Sequence, residues 1–81
     1  INEHNDGTYS VRALTDIDDF NEYFDTSLST EEFETVGGVV THAFGHLPSR
    51  GEEVQIDEFC FKVLNADGRR VHLFKVFRIS E

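Results

Sequence analysis

At Pro48 the apolar period of this chain changes, and that change limits the fold more than any other feature. Before it, Val36, Val39, Val40, Ala43, Phe44 and Leu47 recur at i, i+3, i+4, i+7, i+8 and i+11, the stripe of an amphipathic helix. After it, Val54 and Ile56 alternate with polar residues, and Phe59, Phe61 and Val63 share one face of a second strand. Pro48 and Gly51 stop the helix and turn the chain. A helical half followed by a strand half makes an α+β domain.

Two further elements precede the stripe. Tyr9 and Val11 alternate after the Asp6-Gly7 turn, which predicts a short strand. Ile17, Phe20 and Phe24 then fall at i, i+3 and i+7, with Asp16, Asp18 and Asp19 where a helix dipole favours acids. Thr15 with Asp18 resembles a capping box. Leu28 and Phe33 are expected to pin the following loop inward.

After Ile56, Asp57-Glu58 is read as a tight turn. Asp67-Gly68 is the strongest hairpin signal, which predicts a type I′ turn with Gly68 at positive φ, joining strands 59–66 and 69–78. Along the last strand, Val71 and Leu73 share one face and Phe74 and Val76 the other, so a bulge is expected near Leu73. The predicted order is β-α-α-β-β-β, two short helices on a mostly antiparallel sheet, with 1–5 as leader and 6–79 as the domain.

Charge excludes some functions. The chain has 16 Asp+Glu against 7 Lys+Arg, a net of −9, which repels phosphate backbones and disfavours docking on anionic membranes. Residues 16–34 hold eight acids and no base, whereas six of the seven bases follow residue 49. A single Cys60 rules out an internal disulfide and fits a reducing compartment. No apolar run approaches the ~20 residues a bilayer span needs. A start at Ile1, with no Met anywhere, suggests a piece of a longer protein.

Each candidate site has a plainer reading. Gly37-Gly38 lacks the preceding strand, the Lys and the spacing of a phosphate loop, so the pair is read as close packing of a helix. His42 and His46 are spaced as zinc ligands, but nothing nearby completes a site. With Val39, Ala43 and Leu47 facing the core, both histidines fall on the wet flank. His4 lies in the leader, and His72 is expected to pair with a cross-strand acid. Asp16, Asp18, Asp19 and Glu22 are weak candidates for Mg²⁺ or Ca²⁺, without the glycine and spacing of an EF-hand. Cys60 faces away from Phe59 and Phe61 with no catalytic partner, and nothing marks a carboxylate pair for acid–base work. The residues describe a non-catalytic module. Arg69 and Arg70 are its densest positive spot and the candidate interaction residues, one pairing with an acid of the chain and the other meeting an acidic partner.

The order of signals resembles the CorC/HlyC transporter-associated domain. The matching stretches are the Asp6-Gly7 strand, Asp16-Ile17-Asp18-Asp19-Phe20-Asn21, Thr35-Val36-Gly37-Gly38, Gly45-His46-Leu47-Pro48, Gly51-Glu52 and Ala66-Asp67-Gly68-Arg69-Arg70-Val71, spread over residues 6–78. The resemblance implies the C-terminal regulatory or interaction domain of a bacterial magnesium and cobalt efflux-like or hemolysin-like protein. Its partners would be a pair of CBS domains and a membrane domain of the same parent, at the cytoplasmic face of the inner membrane, with homo-oligomers also open. It further implies a fold similar to part of the PCMH-type FAD-binding domain, although no residue here marks a flavin site. The alternative is a sensor module for a nucleotide, a flavin (FAD) or a divalent cation such as Mg²⁺.

Overall fold

The structure, a computed structural model, describes residues 1–79. Its elements are β1 (Asn2–Glu3), β2 (Tyr9–Arg12), α1 (Ile17–Phe24), α2 (Val36–Phe44), β3 (Glu53–Ile56), β4 (Phe59–Ala66) and β5 (Val71–Arg78). The five strands form one sheet in the order β1-β2-β5-β4-β3, with every neighbouring pair antiparallel. The expected α+β architecture holds. It gains one strand, because Asn2–Glu3, within the expected leader, pairs with Ser10 and Tyr9 at the sheet edge.

Both helices cover one face of the sheet. Ile17, Phe20 and Phe24 bury the apolar side of α1, and Phe20 packs its ring against Phe59 and Phe61. Val36 and Val40 bury the inner side of α2. Val11, Phe59, Phe61, Val63, Val71, Phe74 and Val76 supply the sheet side of the same core, and Leu28 closes it from the loop. Burying each Phe contributes about 1.5–3 kcal/mol, which is how a domain of modest apolar content holds together.

A double irregularity sits where the parity of β5 breaks. Val63 pairs with Phe74, Asn65 with Leu73 and Ala66 with Val71, so Leu64 on β4 and His72 on β5 are each passed over. The two shifts restore the original register and bring Val71, Phe74 and Val76 to the same buried face. The expected bulge is there, shared between two strands.

Three local expectations fail for identifiable reasons. The capping box does not form: Asp16 is the N-cap and makes no side-chain cap hydrogen bond. Instead Ile17 N–H donates to the Glu34 carbonyl and Val36 N–H to that of Thr15, each at 2.9 Å, so a main-chain bridge satisfies an end group of both helices. Ala43 and Leu47 face solvent, because α2 ends at Phe44 and Gly45 (φ 77) turns the chain before Leu47. Gly68 is not among the residues at positive φ; those are Gly7, Gly45, Gly51, Asp25 and Asp57. The hairpin tip closes through Asp67, whose N–H donates to the Arg70 carbonyl at 3.0 Å while its Oδ1 accepts from Arg69 N–H (2.7 Å) and Arg70 N–H (3.0 Å). A side-chain acceptor replaces the glycine-dependent turn.

Candidate functional site

The Gly37-Gly38 turn is packed into its surroundings. Gly37 N–H donates to the Ala13 carbonyl at 2.8 Å, and Gly38 N–H to Thr35 Oγ1 at 3.2 Å. The first amides of α2 are therefore already engaged, which leaves no cradle for a phosphate. His42 and His46 are exposed, as expected for the wet flank. His42 lies against the Phe33 ring at 5.2 Å, and His46 Nε2 meets Glu52 Oε1 at 3.2 Å.

Glu52 organises the loop between α2 and β3. Its Oε2 accepts from Ser49 N–H at 2.6 Å, and these bonds, Ser49 before His46, hold its carboxyl below the usual range. Pro48 is buried inside this loop, while Gly45 (φ 77) and Gly51 (φ 95) take the left-handed backbone that bends it. Gly51 N–H donates to the Val63 carbonyl and Val63 N–H to that of Glu52, both at 2.8 Å. The Gly-x-x-Pro-x-x-Gly run is thus a clamp that ties the helical half to β4.

The acids of α1 remain apart from any such network. Asp16, Asp18, Asp19 and Glu22 are all exposed, and among the described residues no three His, Cys, Asp or Glu side chains converge to hold a metal ion. Cys60 is buried on the sheet face opposite Phe59 and Phe61. Burial, and next the charge of Glu53, push its thiol pKa up, away from the thiolate a nucleophile needs.

The hairpin tip carries the positive charge. His72 Nε2 lies 2.8 Å from Asp67 Oδ2, so its acid partner is the turn residue of its own hairpin and not a residue of the neighbouring strand. That bond, followed by the Arg69 and Arg70 amides, lowers the Asp67 pKa to about 2. The amides of Arg69 and Arg70 are fixed by Asp67, yet among the described residues neither guanidinium pairs with a carboxylate. This corrects the expectation that one of them would. Both line a groove of about 610 Å³ along α2, together with Phe33, Gly37, His42 and Leu47. The structure therefore brings the glycine pair, His42, His46 and the two arginines to one surface.

Two residues with structural roles escaped the sequence reading. The Asn21 amide grips the main chain of Leu28 twice, at 2.9 Å each, and so closes the loop after α1. Arg78 donates to the Phe24 carbonyl (2.6 Å), pairs with Glu58 (2.9 Å) and lies over the Phe59 ring, linking the end of α1 to the sheet. Asn21 carried a weak signal in its motif; Arg78 carried none.

Comparison with known proteins places this geometry. The family described as transporter associated domain (CorC_HlyC) matches residues 2–80. The magnesium and cobalt efflux protein CorC of Pasteurella multocida is 59% identical over 64 residues, which are 79% of this chain and 21% of that protein. The chain spans about a fifth of the length of the curated relatives it matches. The solved magnesium and cobalt transporter (CorC) associated region of Neisseria meningitidis superposes with a TM-score of 0.94 at 40% identity, covering 98% of both chains. The transporter associated domain of a CBS domain protein from Porphyromonas gingivalis gives 0.83 at 27% identity, covering 95% of this chain and 94% of that one.

Proposed function

The chain belongs to the CorC/HlyC transporter-associated domain family, and on that premise we propose that it is a non-catalytic interaction module of a bacterial magnesium and cobalt efflux-type protein. It acts on the remaining parts of the same polypeptide, a CBS pair and a membrane domain, at the cytoplasmic face of the inner membrane, and modulates transport from there. Among the described residues no helix is long and apolar enough to cross a membrane, so insertion would fall to those other parts.

One observation carries this reading: among the described residues Arg69 and Arg70 are displayed without carboxylate partners, beside a groove of about 610 Å³, on a domain whose net charge is −9. Charge of one sign held apart on a surface of the other sign favours recognition of a complementary partner. Among the described residues the buried interior contains no polar or charged side chain.

The test is Mg²⁺ and Co²⁺ efflux from vesicles holding the full-length protein, compared with the same protein lacking these residues and with the Arg69→Glu/Arg70→Glu variant. The expected result is retained membrane insertion with a several-fold change in efflux rate for both. Unchanged efflux after removal of the domain would contradict the proposal.

A further inference from the structure

Leu14 is the most exposed large apolar residue of the domain, at 75%, and two hollows meet at it. The first is the groove along α2 described above. The second, of about 480 Å³, runs from Arg70 past Leu14 to Arg12 and the β1 edge. Asp and Glu are 16 of the 81 residues, yet among the described residues no acid lines either hollow. The bases there are Arg12, Arg69 and Arg70, and among the described residues none of the three forms an ion pair. Glu52 and Asp67 lie nearby but are engaged by His46 and His72. On its other side Leu14 borders the acidic start of α1 at Asp16 and Asp19, so the sign of the surface changes across this one residue.

We infer that the two hollows form a single docking surface for an acidic amphipathic segment of the same polypeptide, lying outside these 81 residues. Apolar side chains of the segment seat against Leu14 and Leu47, and its carboxylates meet Arg12, Arg69 and Arg70. This deepens the interaction reading above and rests on it.

Charge selects the occupant. A second copy docked through the same face sets these arginines against their own equivalents. A copy docked through its acidic α1 would instead make a head-to-tail contact, which has to propagate into a ring or a filament. An anionic lipid surface is repelled by the net charge of −9. A small anionic ligand needs a polar group buried and fixed in the site, and among the described residues no buried polar side chain is present. A segment of the same polypeptide also binds at high effective concentration, so a shallow surface with a few charged contacts suffices.

The experiment places a benzophenone amino acid at position 14 of the full-length protein, irradiates it in membranes and maps the adducts by mass spectrometry. Substitution there is tolerated because Leu14 is solvent-exposed. The expected adduct lies within the same polypeptide, in a stretch rich in Asp or Glu and apolar residues. Its yield should fall roughly tenfold with Arg69→Glu/Arg70→Glu, the loss expected when complementary charges at an interface are reversed. Adducts between two copies, adducts to lipid, or a yield no higher than from the control position Glu22 would each overturn the inference. Efflux is measured on the same membranes: domain-dependent efflux without the adduct overturns the docking surface alone, and the adduct without domain-dependent efflux overturns the transport role alone.

Discussion

Gly37 lies against Ala13 so closely that a Cβ on the glycine would fall 2.8 Å from the Ala13 Cβ and 2.9 Å from its carbonyl oxygen. Ala13 directly follows β2 and Gly37 lies in the first turn of α2, so this contact sets the distance between sheet and helix. Gly37→Ala forces the helix outward and should destabilise the domain by about 1–3 kcal/mol, measured by urea denaturation. Gly38→Ala meets only the Phe33 side chain, at 3.0 Å, and should cost less because that half-exposed ring can shift.

The glycines of the α2–β3 loop should matter more than the glycine of the hairpin. Gly45→Ala and Gly51→Ala put a side chain at φ 77 and φ 95, and each should cost about 1–2 kcal/mol. Gly68 has open space around its Cβ position and no positive φ, so Gly68→Ala should change stability by less than about 0.5 kcal/mol. Equal losses at all three positions would contradict this account of the turn.

Core truncation separates two phenylalanines that the sequence presents alike. Phe20 is fully buried among Phe24, Phe59 and Phe61, and Phe20→Ala should cost about 3–5 kcal/mol. Phe44, expected to be core, is only half-buried at the end of α2, so Phe44→Ala should cost clearly less. Chemical denaturation of the two variants side by side checks the order.

The difference between these two residues shows how far the sequence could be read. On α1 the acids mark the outer face, so Ile17, Phe20 and Phe24 could only point inward. On α2 the run Val36–Phe44 is apolar or small on nearly every side, and periodicity alone does not choose a face. The bulge was legible because Val71 and Phe74 are an odd number of residues apart yet both apolar. The hairpin tip was not, because Asp67 there acts through its side chain, and propensity statistics point to Gly68. The surface that joins Leu14, Leu47, Arg69 and Arg70 comes from strand order, which local patterns do not encode.

Acid should loosen the hairpin tip. Asp67 has its pKa lowered to about 2 by the His72 bond and then by the Arg69 and Arg70 amides. A carboxyl depressed in the folded state stabilises it above the unfolded pKa, near 4, and that stabilisation is lost as pH falls toward 2. Glu52 is lowered for its own reasons and acts in the same direction. Asp67→Asn should flatten the acid limb of a stability–pH curve, and an unchanged limb would show that the turn does not rely on this carboxylate.

The central claim is that Arg69 and Arg70 serve association and leave the fold to other residues. The most direct measurement is calorimetric titration of this domain into the remainder of its parent protein, at low and high salt. The claim predicts that Arg69→Glu/Arg70→Glu weakens association about tenfold or more, most strongly at low salt, while the urea midpoint moves by less than about 0.5 kcal/mol equivalent. Association that is unchanged by the swap, or insensitive to salt, would contradict it.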